Sequence, residues 1–230
     1  MILHRFNALE IAAAALAAQV AALLREALQL RGHAGLLVPG GRTPTALFRA
    51  LRRWEMDWSQ VQVSLTDERW VAPGDSASNE SLVRRELLVE QSATAQFVPL
   101  HNAAPSAAAG TDVSWRGLSR IPRPFDAVVL GMGEDGHFAS LFPGAPGLAA
   151  ALDADGRGAC VAMRAPVAPT DRISLNLGAL RDARRLFLLV SGEGKRVLIE
   201  SAAQQPPELS LPITSLLALR DPAPEIYWAP

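Results

Sequence analysis

The chain is poor in the residues that build cross-linked or metal-held sites. It has one cysteine, Cys160, in 230 residues. That excludes an intramolecular disulfide and any zinc site made of several cysteines. The four histidines, His4, His33, His101 and His137, are scattered, and none has the HExxH spacing of a zinc protease. Neither sign of charge is in excess, the formal net charge being −1. So balanced a chain lacks the basic face that nucleic acid requires, although a local cationic pocket for a small anion stays open. The five tryptophans are spread out and form no stacking platform. Long apolar runs are missing too. The nearest, Ile11–Leu24, is mostly alanine and is flanked by Glu10, Arg25 and Glu26, so no membrane span is expected. No basic start with a small-residue cleavage pattern marks a signal peptide. These absences predict a cytoplasmic protein with no membrane or nucleic-acid partner.

What is present fits an α/β fold. With 49% hydrophobic residues and no repeat, linker or low-complexity block, residues 1–230 are expected to form a single domain. A helix is predicted over residues 7–31, capped by Asn7 with Glu10 three positions on and ended by Gly32. Ala34–Val38 suits a buried strand, and Thr43 is placed to cap a helix that starts at Pro44 and runs to about Trp54. Further strands are expected at Val61–Leu65, Phe97–Leu100, Phe125–Leu130, Ala159–Met163, Ile173–Leu177, Leu186–Val190 and Glu225–Trp228. Between them fall helices from Ser78 or Asn79 to about Glu90, over 111–120, as a short turn at His137–Phe142, from Gly192–Gly194 to Ala203, and at Leu211–Leu219. Residues 102–110 and 143–158 read as loops, and Gln204–Pro207 as a break. Alternating strands and helices imply a Rossmann-like, mainly parallel sheet with helices on both faces.

Four polar segments follow strands, and in a parallel sheet such segments converge on one edge. The richest is LGMGEDGHFASLFPG at 130–144, where Gly131, Gly133 and Gly136 surround Asp135 and His137. A neutral imidazole accepts a proton from water near pH 7, so His137 is the candidate general base, with Asp135 or Asp67 as its acidic helper. In PGGRTP, residues Gly40, Gly41, Arg42 and Thr43 precede a helix N-terminus, a natural anion cradle, though any strand–turn–helix connection looks similar. TDERWV sets Asp67, Glu68 and Arg69 in a row, and arginine suits a carboxylate, a phosphate or a developing oxyanion. Ser78–Asn79 reads as a helix cap. Arg172 opens RISLNL, and Lys195, the only lysine, lies in GEGK at a helix N-terminus, where a cation is unfavourable unless an anion intervenes. GEGK lacks the full P-loop spacing, and no GxSxG elbow supplies a serine nucleophile.

In order and spacing, PGGRTP, TDERWV with SN at 78–79, LGMGEDGHFASLFPG, RISLNL and GEGK resemble the 6-phosphogluconolactonase family over nearly the whole chain. The resemblance implies a Rossmann-like fold shared with glucosamine-6-phosphate isomerases and deaminases. It implies hydrolysis of 6-phospho-D-glucono-1,5-lactone, a phosphosugar lactone, in the oxidative pentose phosphate pathway. No metal and no organic cofactor are expected, and the protein is expected to be a monomer or small homo-oligomer. Position by position, His137 would activate water. Arg69, Arg172 and Lys195 would hold the anionic substrate, with Gly40, Gly41, Arg42 and Thr43 near its phosphate or sugar. Arg42 stands where many relatives have serine, and Phe138 where many have threonine. The deaminases resemble the same pattern but continue after the histidine to Asn-Glu-Pro. Here Ser140-Leu141-Phe142-Pro143 replaces that ending, and the acidic residue is missing. A non-catalytic sugar-phosphate sensor is the rival from another class, distinguished by binding without turnover.

Overall fold

The computed structural model describes residues 1–204 and 211–230. Its strands are β1 (Ile2–Arg5), β2 (Ala34–Val38), β3 (Val61–Leu65), β4 (Asp67–Arg69), β5 (Gln96–Phe97), β6 (Ala127–Leu130), β7 (Cys160–Arg164), β8 (Asp171–Leu175), β9 (Leu186–Ser191) and β10 (Glu225–Ala229). The helices are α1 (Leu9–Arg31), α2 (Pro44–Leu51), α3 (Asn79–Glu86), α4 (Ala107–Leu118), α5 (Leu148–Ala151), α6 (Leu177–Leu180), α7 (Glu193–Ala202) and α8 (Pro212–Ala218).

Seven strands form one parallel sheet in the order β1-β10-β9-β6-β2-β3-β5. Every residue of β2 and β6 is buried. Successive strand residues point to opposite faces, so both faces of the sheet centre are covered. The chain leaves β2 towards β3 on one side and β6 towards β9 on the other, which opens a crevice beyond the carboxyl ends of β2 and β6.

Helix α1 is long and apolar enough to cross a membrane by length and composition. Its stripe of Ala12, Ala13, Leu16, Ala17, Val20, Ala21, Leu24 and Ala27 is instead buried in the core. The alanines let the helix lie close to the sheet and to α2.

Several local expectations are corrected. Ala8, not Asn7, is the N-cap of α1 and makes no side-chain cap bond; Gly32 ends the helix as expected, in the left-handed conformation at φ 75°. Thr43 has helical backbone angles and its side chain makes no cap bond. Helices α2 and α3 stop at Leu51 and Glu86, short of Trp54 and Glu90. Helix α4 starts at Ala107, because the Ser106 hydroxyl accepts from the Ala109 N–H at 3.3 Å. His137–Phe142 is not helical; Phe138 bridges Met132 and Leu141 in antiparallel pairs. Strand β1 was not foreseen, nor was a second, antiparallel sheet in the order β4-β8-β7. The break expected at Gln204–Pro207 lies, beyond Gln204, outside the described residues.

Candidate active site

The site is assembled from loops at the carboxyl ends of the central strands. After β2 comes the turn Gly40–Thr43; after β6, the loop that carries His137; after β9, Lys195 in the first turn of α7. The small sheet supplies the rest. Its β4–β8 ladder sets Arg69 opposite Arg172 and Glu68 opposite Ile173. Residues alternate in facing, so Asp67 and Arg69 line the crevice while Glu68 does not. The crevice encloses about 350 Å³. It is lined by Gly40, Gly41, Arg42, Thr43, Asp67, Arg69, His137, Arg172 and Lys195, nine of the ten residues singled out above. Asp135, the tenth, stands behind the histidine rather than in the wall.

His137 is fixed on three sides. Its Nδ1 lies 2.5 Å from the Asp135 Oδ1, and that same oxygen accepts from the His137 backbone N–H at 3.2 Å. A carboxylate only accepts, so Nδ1 carries the proton and Nε2 is left as the basic nitrogen. The imidazole packs 4.5 Å from the Phe142 ring, at 46°. It also lies against Gly133, where a Cβ would fall on the ring. Phe138 is fully buried in the core, so the departure at that position does not change the cavity wall.

Asp67 serves elsewhere. Its Oδ2 accepts from the Ser140 Oγ at 2.6 Å, and the Ser140 N–H donates to the Ser174 Oγ at 3.2 Å. Among the described residues Asp135, not Asp67, is the acid on the histidine. Between His137 and Ser140 sits Ala139, a cavity residue held at φ 48°. That conformation is uncommon for a residue with a Cβ, and both neighbours are anchored around it.

The cationic wall is under electrostatic stress. Arg69 donates to the Ala77 carbonyl, and among the described residues its buried Nε has no partner. Arg172 donates through Nε to the Pro169 carbonyl at 2.9 Å. Neither has an ion pair among the described residues, nor does Arg42 or Lys195. Burial, and then Arg69, push the Arg172 guanidinium below its usual proton affinity, with Asp67 and Glu68 opposing. Like charges directly opposite in a ladder repel each other, and an anion between them relieves the repulsion. Four cations against the single carboxylate of Asp67, among the described residues, give the cavity a positive charge that suits an anion.

Two residues escaped sequence reasoning. Buried Glu68 gathers the start of α3: its carboxylate accepts from the N–H groups of Arg69, Asn79 and Glu80, each at 2.7 Å, and from the Ser78 Oγ at 3.0 Å. Burial pushes its carboxyl up, and these donors pull the other way. The sequence places Asn79 with Ser78 in a helix cap. Ser78 is the cap, its Oγ accepting from Ser81, whereas the Asn79 side chain lines the cavity. An Asn beside a Gly-Gly turn carries no signal until the fold brings the two together. Among the described residues no three His, Cys, Asp or Glu side chains gather as a metal-binding set.

Residues 8–228 match the model of the glucosamine-6-phosphate isomerases/6-phosphogluconolactonase family. The 6-phosphogluconolactonase of Rhizobium meliloti is 41% identical over 228 residues, covering 99% of this chain and 98% of the relative. That of Pseudomonas aeruginosa is 41% identical over 215 residues, covering 94% and 89%. The crystal structure of a 6-phosphogluconolactonase from Shewanella baltica superposes with a TM-score of 0.94 at 39% identity, covering 100% of this chain and 98% of that one. The chain belongs to the glucosamine-6-phosphate isomerase/6-phosphogluconolactonase family.

Proposed function

We propose that the protein is a 6-phosphogluconolactonase, hydrolysing 6-phospho-D-glucono-1,5-lactone to 6-phosphogluconate in the pentose phosphate pathway. The observation that carries this reading is the Asp135-backed His137 facing a cavity walled by Arg42, Arg69, Arg172 and Lys195. A lactone is an activated ester, and water is a sufficient nucleophile for it. Among the described residues, no serine or cysteine lines the cavity.

In this mechanism the Nε2 of His137 takes a proton from water as its oxygen adds to C1. Asp135 holds the tautomer and stabilises the imidazolium that forms. The carbonyl oxygen gathers negative charge, which Arg69 or Arg172 is placed to stabilise. Collapse of the tetrahedral intermediate breaks the bond to the ring oxygen, and the imidazolium returns its proton there. The phosphate lies on the Gly40–Thr43 turn, with Lys195 and Arg42 beside it. Asp67, held by Ser140, accepts from a sugar hydroxyl.

Phe142 weighs against the deaminase reading, because an aromatic ring packs on His137 where those enzymes are expected to carry an acid. The test is turnover of freshly generated 6-phosphogluconolactone alongside glucosamine 6-phosphate. Hydrolysis of the lactone alone is expected. Activity on glucosamine 6-phosphate alone overturns the proposal, and tight binding without turnover of either supports the sensor.

A further inference from the structure

Asn79 is almost fully buried at the cavity wall and joins two parts of the site that share no covalent neighbourhood. Its Nδ2 donates to the Asp67 carbonyl at 2.9 Å, which fixes which end of the amide is nitrogen. Its Oδ1 has no hydrogen-bond partner among the described residues. The nitrogen end of the amide is held by the bond to Asp67, and the oxygen end is held by packing against Gly40. A Cβ built on Gly40 would fall on the Oδ1, Cγ and Nδ2 of Asn79, so the amide lies flat against the bare Cα of the turn. The backbone beneath Asn79 is itself clamped, its N–H donating to buried Glu68 at 2.7 Å. A rigid path therefore runs from Glu68 through Asn79 to the first residue of the anion cradle.

We propose that Asn79 is a positioning residue for the phosphate: it sets the height of the Gly40–Gly41 turn and so the affinity for the phosphorylated form of the substrate. The inference takes its substrate from the lactonase reading and its geometry from the cradle alone. Without the amide the turn settles into the space left behind, and its N–H groups no longer meet the phosphate oxygens. The chemistry at His137, on another loop, continues.

The test compares wild type, Asn79→Ala, Gly40→Ala and the double variant on 6-phosphogluconolactone and on unphosphorylated glucono-1,5-lactone. For Asn79→Ala, KM for the phosphorylated lactone should rise about tenfold with kcat little changed, the mark of lost uniform binding. Its kcat/KM on the unphosphorylated lactone should stay within about threefold of wild type. Gly40→Ala should raise the same KM, because its methyl collides with the amide. The double variant removes that collision and should be no worse than Gly40→Ala alone, a non-additivity expected of residues in contact. Equal losses on both lactones, or additive losses in the double variant, overturn the proposal. Titration with inorganic phosphate runs beside the kinetics. If wild type turns over neither lactone, weaker phosphate binding by Asn79→Ala still supports the positioning role, and unchanged binding overturns it. Should Asn79→Ala fail to fold, Asn79→Ser removes the same amide and is read in the same way. Failure of both to fold assigns Asn79 to stability and overturns the proposal.

Discussion

At the scale of single residues, the site separates chemistry from grip. Removing the base with His137→Ala should lower kcat by about 10²–10⁴-fold. The circular dichroism melt should stay close to that of wild type, since the ring lies at the cavity surface and not in the core. Near-normal kcat would remove His137 from the mechanism. Asp135→Asn presents an amide to Nδ1 and no longer selects the productive tautomer, so its defect should also fall on kcat. Lys195→Ala should act mainly on KM, as expected for a contact made equally in ground and transition states. These residues were legible in the sequence because each is chemically conspicuous and follows a strand. The choice of acid was not legible. Asp135 and Asp67 are equally acidic on paper, and only the fold shows that one touches the imidazole while the other is engaged by Ser140. Asn79 and Glu68 were silent for a related reason, since their partners are backbone groups that acquire positions only on folding.

At the scale of elements, strands of the main sheet were legible where apolar runs are continuous, as in Ala34–Val38 and Val61–Leu65. Strand β4 was not. Its three residues, Asp67, Glu68 and Arg69, are all charged and carry no apolar alternation, so nothing distinguishes them from a solvated loop. Their pairing with β8 and the capture of α3 by Glu68 make them a strand. Glu68→Gln would turn an NH₂ group towards N–H donors and should cost about 1–3 kcal/mol in urea unfolding. It also has a pH signature. Net of its donors, burial leaves the Glu68 carboxyl above its ordinary value, so the folded state holds the proton more tightly than the unfolded one. That contribution is present in acid and is lost as pH rises through the raised pKa. The stability gap between wild type and Glu68→Gln should therefore be widest in acid and narrow towards neutrality; a gap independent of pH would contradict the raised value. In α1 the stripe of alanines measures the space available. Ala17→Leu overfills a fully buried position and should cost about 1–3 kcal/mol, read from the urea midpoint.

At the scale of the whole molecule, the cavity exists only when the sheet is complete. Its walls come from residues as distant as Gly40 and Lys195, carried by β2, β4, β6, β8 and the helix after β9. An anion bound there should stabilise the entire fold. With 6-phosphogluconate, the proposed product, at about 100 times its Kd, the gain should approach about 2.7 kcal/mol, seen as a rise in melting temperature. Lys195→Ala should need more ligand for the same rise, and the absence of any rise would argue against product binding at this site. The fold class was legible because alternating strands and helices leave few topologies. The small second sheet was not, because the pairing that draws β4 onto the neighbouring strands β7 and β8 joins segments about a hundred residues apart. That sheet has one more consequence. In a ladder as short as β4 and β8, sliding one strand by a single residue reverses which side chains face inward. Such a slip would withdraw Asp67 and Arg69 from the cavity and present Glu68 in their place, so one hydrogen-bond register sets how strongly the pocket attracts an anion.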